Sequence, residues 1–143
     1  MELNIKKVIS LIQKQLDKDW GRLEFEYSTT ETEASAATGI ALSNHSDDIR
    51  AIITVFPGGG AVFRAVFDKL DRSPEVMGLL NDFNYSNLFF NAFIRPDGYL
   101  ELRHFFVCYE ENMFKSYSGE FMTRLSQLAN NEILKKLTEH THE

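Results

Sequence analysis

Four histidines, one cysteine and 21 acidic side chains are the residues of this sequence that would carry nucleophilic, acid–base or metal chemistry. A cysteine nucleophile needs a base beside it and an accessible thiolate. Cys108 and His104 share a strand face by parity, but four residues along a strand span about 13 Å. That is too far for a dyad, and Cys108 reads as a small hydrophobe. His104 keeps register with Leu100, Leu102, Phe106 and Cys108. It reads either as a group that titrates inside the domain or as a core or edge histidine with a satisfied hydrogen bond. His45 stands with Asp47 and Asp48 where Asp and Asn serve turn backbone, and His140 and His142 stand in the tail. No metal is expected. Glu24 and Glu26 share one strand face, a spacing that suits a carboxylate pair and equally a solvated face; Glu110-Glu111, at a strand end, reads as solvent-exposed. The loop Pro57-Gly58-Gly59-Gly60 offers backbone N–H groups to an anion. A phosphate loop needs a helix after it, whereas Ala61 to Phe67 reads as a strand, so a hairpin turn is expected. There is no Gly-x-Ser-x-Gly elbow. The expectation is a protein with no catalytic residue and no cofactor, not an enzyme.

The elements around these residues follow from periodicity. Ile5, Val8, Ile9, Ile12 and Leu16 recur at three- and four-residue spacing, predicting an amphipathic helix that Gly21 stops. Arg22 to Tyr27 alternates and predicts a strand with one wet face. Residues 28–37, rich in Ser, Thr, Glu and Ala, read as a loop. Gly39 to Ser43, Arg50 to Phe56 and Ala61 to Phe67 read as strands whose short connections imply antiparallel neighbours. Ser73-Pro74-Glu75 is a helix start: a capping hydroxyl, a proline at the first position and an acid at the positive end. Val76, Leu79, Leu80 and Phe83 form its buried stripe. Leu88 to Arg95 and Tyr99 to Tyr109 form a hairpin around Pro96-Asp97-Gly98. After a polar connection, Phe121 to Leu137 reads as a closing helix with Ser118 as its cap, and 138–143 as a frayed tail. The fold class is α+β, a single domain over 1–143, with an antiparallel sheet and the order α-β-β-β-β-α-β-β-α.

The 143 residues include 12 Phe, 5 Tyr and 1 Trp, with a net charge of −6. That charge argues against a nucleic-acid partner, because phosphate binding needs clustered Lys and Arg. No run of about 18 apolar residues exists to span a membrane. The N-terminus lacks the apolar core of a signal peptide, and a single cysteine suits a reducing compartment, so a cytoplasmic protein is expected. The last hairpin stands out. Leu88, Phe90, Ala92 and Ile94 take one side and Phe89 and Phe93 the other; Leu100, Leu102 and Phe106 oppose Phe105 and Val107. Both faces are apolar, where an antiparallel sheet ordinarily wets one. Either helices cover both faces or the strands are central and twisted, or else Phe89, Phe93, Phe105 and Val107 form a subunit or partner interface. A further alternative is a small apolar-ligand binder or a cryptic enzyme that uses a pocket of Phe89, Phe93 and Phe105.

The stretch Val76-Met77-Gly78-Leu79-Leu80-Asn81-Asp82-Phe83-Asn84-Tyr85, leading into Phe89 to Ile94 and Asp97-Gly98-Tyr99-Leu100-Glu101-Leu102, resembles the YbjN-type family of bacterial sensory-transduction regulators. That family is similar in fold to the type III secretion chaperones, small acidic α+β dimers. The resemblance spans about residues 3–137 in element order, with its motif confined to 76–102; the long Ser/Thr/Ala loop after the first strand departs from it. It implies a dimeric, chaperone-like or regulatory adaptor that binds another protein, and it carries over no catalytic residue. Asn81 and Asn84 are expected to satisfy free backbone groups where the helix gives way to the strand.

Overall fold

The computed structural model describes residues 4–20, 26–29, 34–40, 49–107 and 110–140. Helix α1 (Ile5–Trp20) is followed by strands β1 (Glu26–Thr29), β2 (Ala34–Ile40), β3 (Ile49–Val55) and β4 (Gly60–Lys69). Then come helix α2 (Pro74–Ser86), strands β5 (Asn91–Ile94) and β6 (Tyr99–Val107), helix α3 (Glu111–Gln127), a 3-10 turn (Leu128–Asn130) and helix α4 (Glu132–Thr138). The fold is mixed α and β. All strand pairs are antiparallel, in the order β1-β2-β3-β4-β6-β5.

Local chemistry decides several boundaries. Ser73 Oγ accepts the Val76 N–H at 3.1 Å and Pro74 opens α2, as the Ser-Pro pair predicts. The Phe56 N–H donates to the Gly60 carbonyl and the Gly59 N–H to the Phe56 carbonyl, so the glycine-rich loop closes a hairpin. Gly59 and Gly98 take positive φ, 98° and 92°, which glycine adopts without the clash a Cβ would cause.

Four expectations are corrected. Residues 28–37 are in large part strand: β1 ends at Thr29 and β2 begins at Ala34, held by the Ala34↔Val55 to Ile40↔Ile49 ladder. Pairing on both sides overrides the weak strand preference of Ala, Ser and Gly. The expected strand over 22–27 is described only at its end, and 22–25 and 41–43 lie outside the described residues. The strand expected from Leu88 is only Asn91–Ile94, because Asn87 Oδ1 accepts the N–H groups of Phe89 and Phe90 (3.1 and 2.8 Å) and turns the chain. The closing helix is two. The connection expected before it is the first half of α3, where Ser118 is fully buried and donates to the Lys115 carbonyl rather than capping anything. Asn131 starts α4 by accepting the Leu134 N–H at 2.9 Å.

One core joins these elements. Val8, Ile9, Ile12 and Leu16 of α1 meet Ala51, Ile53 and Val55 of β3, Ala61, Phe63, Ala65 and Phe67 of β4, and Leu100 and Leu102 of β6. The same cluster holds Val76, Leu80 and Phe83 of α2, Phe114, Phe121 and Leu125 of α3, and Leu134 and Leu137 of α4. The four helices therefore lie on one side of the sheet, with α1 packed along α3. The Phe63 ring stands 5.0 Å from those of Phe106 and Phe121, which ties the sheet's centre to α3.

Candidate functional site

Alternation along the strands separates two sets of side chains. Ala61, Phe63 and Ala65 pair with Phe106, His104 and Leu102 and face the helices. Their neighbours in sequence take the other face: Ile52 and Thr54 in β3, Val62, Arg64 and Val66 in β4, Glu101, Arg103, Phe105 and Val107 in β6, and Phe93 in β5. None of the four described helices buries its apolar side chains against this second face.

Three of the four residues expected at an interface stand on that face. Phe105 and Val107, two residues apart, are 58% and 56% exposed. Phe93 lies under the Arg103 guanidinium, 4.8 Å from ring centroid to Cζ. Phe89 does not join them. The Asn87 turn shifts its parity, and its ring stacks on His104 at 4.0 Å, against the core. His104 Nδ1 donates to the Phe89 carbonyl at 2.8 Å, so the histidine has a satisfied hydrogen bond. Nor do the three phenylalanines line one cavity: Phe89 and Phe105 border a cleft of about 340 Å³ beside the wholly exposed Leu88 (97%), and Phe93 borders a separate one of about 380 Å³.

Between the exposed apolar residues sits a charged cluster that alternation alone does not reveal. The Glu101 side chain is only 3% exposed, yet it stands on the helix-free face. Arg103 Nε and Nη2 donate to its Oε2 at 3.0 and 2.8 Å. Arg64 Nε stands 3.9 Å from the same oxygen, and Arg95 Nη1 3.7 Å from Oε1. Arg64 Nη1 also donates to Thr54 Oγ1 (3.3 Å), and Arg95 Nη2 to Asp97 Oδ2 (2.8 Å). Part of the signal for this cluster is in the sequence, though not its assembly: Arg64 interrupts the apolar run from Ala61 to Phe67, and Glu101-Leu102-Arg103 places opposite charges on one strand face.

Asn84 performs the expected backbone role: its Oδ1 accepts the Ala92 N–H at 2.7 Å and its Nδ2 donates to the Ala92 carbonyl at 3.0 Å. Asn81 is exposed and borders the cleft beside Phe93. Glu111 is not a free solvent-facing carboxylate. Lys7 Nζ stands 2.8 Å from its Oε2, and this hydrogen bond above all holds its pKa below the ordinary 4.5. His140 Nε2 stands 3.5 Å from Glu75 Oε1. Glu24, His45, Asp47, Asp48, Cys108 and His142 fall outside the described residues, and nothing of the Glu26 side chain is described. Among the described residues no group of three or more His, Cys, Asp and Glu is placed to hold a metal ion, and no helix is long and apolar enough to cross a membrane. No family model matches this sequence, and no curated protein matches it.

Proposed function

We propose that this chain is a non-enzymatic, cytoplasmic protein-binding module of the YbjN type, with a fold like that of the type III secretion chaperones, acting as a dimer in a chaperone-like or regulatory role. The observation that carries the reading is the pair Phe105 and Val107, exposed side by side on the sheet face away from the helices. Large apolar side chains grouped at a surface mark interaction sites. The setting adds to this, since arginine and aromatic residues, here Arg103 on Phe93, are enriched at interfaces and at their energetic centres. The acidic net charge of −6 and the resemblance over residues 76–102 support the same reading.

Light scattering across protein concentration tests it, with Phe105→Asp as the comparison. Phe105 is more than half exposed, so a carboxylate there is tolerated by the folded monomer. The expected result is a dimeric wild type and a folded variant that is equally dimeric, since the reading gives this pair to the protein partner. A wild type that stays monomeric at every concentration removes the dimer from the reading, and a dimer that dissociates on the substitution gives the pair to a second copy of the chain instead.

A further inference from the structure

Resting on that reading, we infer that the arginine cluster around Glu101 receives an aspartate or glutamate side chain of an acidic polypeptide partner, while Phe105 and Val107 receive its apolar neighbour. Arg64 and Arg103 are directly opposite across the β4–β6 ladder. Like charges in that position destabilise a sheet, so their stability calls for a counter-ion. Glu101 supplies one, but only Arg103 donates to it at hydrogen-bond distance; Arg64 and Arg95 stand 3.9 and 3.7 Å away. Asp97 occupies one nitrogen of Arg95. Within the cluster built on Glu101 and Asp97, three guanidiniums thus face two carboxylates, a local excess of one positive charge in a chain of net −6.

The buried carboxylate fixes the directions of the groups above it. The side chains of Arg64, Arg95 and Arg103 remain 28%, 35% and 44% exposed, so their unused N–H donors reach solvent. A guanidinium fork matches a carboxylate in two parallel hydrogen bonds. Arg103, Phe105 and Val107 follow one another at two-residue spacing on the same face, roughly 7 Å apart, the interval between alternate side chains of an extended segment. An acidic residue two positions from an apolar one fits that row. A long polyanion does not, because the remainder of the molecule is acidic and repels it.

The probe is a displayed library of random 12-residue peptides, selected on the full-length wild type, with the recovered peptides titrated against variants. Arg64→Gln leaves Glu101 paired with Arg103 and Arg95 and tests the cluster without exposing a buried charge. Arg103→Gln risks misfolding, and the double variant Glu101→Gln/Arg103→Gln removes both partners together. The expected result is peptides that carry Asp or Glu near an apolar residue, weaken about tenfold on Arg64→Gln, and weaken with added salt. Peptides that lose binding on Phe105→Asp but carry no acid and ignore Arg64→Gln overturn the inference and keep the docking reading. Recovery of no binding peptide overturns both. Displacement by millimolar inorganic phosphate with no dependence on Phe105 makes this a free oxyanion site and overturns the polypeptide assignment. A wild-type dimer that dissociates on Arg64→Gln makes a second copy the occupant, and overturns it likewise.

Discussion

Glu101 holds its place only because three cations surround it. A buried carboxylate without partners is costly, and breaking such a pair by removing one member destabilises strongly because the remaining charges lose their compensation. Glu101→Ala leaves Arg64 facing Arg103 across the ladder with no anion beneath them. Because those guanidiniums reach solvent, the expected cost lies near the low end of the measured range, about 3 kcal/mol, read as a lowered urea midpoint with an unchanged slope. Glu101→Ala combined with Arg64→Gln relieves part of the repulsion and is expected to recover some of that loss. Phe93, Phe105 and Val107 are legible as one face in the sequence, since a period of two needs only a continuous strand. Phe89 is not, because two hydrogen bonds to Asn87 Oδ1 end the strand pattern before it reaches that residue. The Glu101 cluster draws on β4, β6 and Arg95 just after β5, and depends on register, which no local pattern encodes. Asn84 is legible as a backbone partner by residue type, and the structure specifies which group it serves: both polar atoms of Ala92.

At the scale of elements, boundaries set by one or two residues are readable and those set by packing are not. Ser73-Pro74 and Pro96-Asp97-Gly98 carry their own conformational preference. Strand β2, by contrast, carries only Ala, Ser, Thr and Gly in its first six positions and is held by ladders on both edges. The break between α3 and α4 rests on Asn131, whose amide caps a new helix within a run whose apolar period would otherwise continue. The ion pair between Lys7 and Glu111 joins the first helix to the start of α3. Its hydrogen bond lowers the Glu111 pKa below 4.5, so the folded state binds this proton less readily than the unfolded chain does. That contribution is fully present above pH 4.5 and disappears as the pH falls through the lower folded value. Urea midpoints of the wild type are expected to fall more steeply on acidification below this pH than those of Lys7→Gln. The two proteins converge once Glu111 is protonated in both. Parallel acid profiles would mean that the pair contributes nothing to the fold.

Across the whole molecule, the described helices lie on one side of the sheet and the arginine–aromatic face on the other: one surface closes the core, and the other has none of these helices packed on it. Closing that core joins residues remote in the chain, since α1 packs along α3 and about 90 residues separate Trp20 from Glu111. This has a consequence in time. At about 5–20 residues per second of synthesis, the apolar stripe of Val8, Ile9, Ile12 and Leu16 leaves the ribosome roughly 5–20 s before its partner helix exists. A chain ending at residue 109 is therefore expected to show no cooperative urea transition and to bind an apolar dye, whereas the full chain does the reverse. During every round of translation the nascent N-terminal helix is an adhesive segment, and the cell has those seconds in which to shield it.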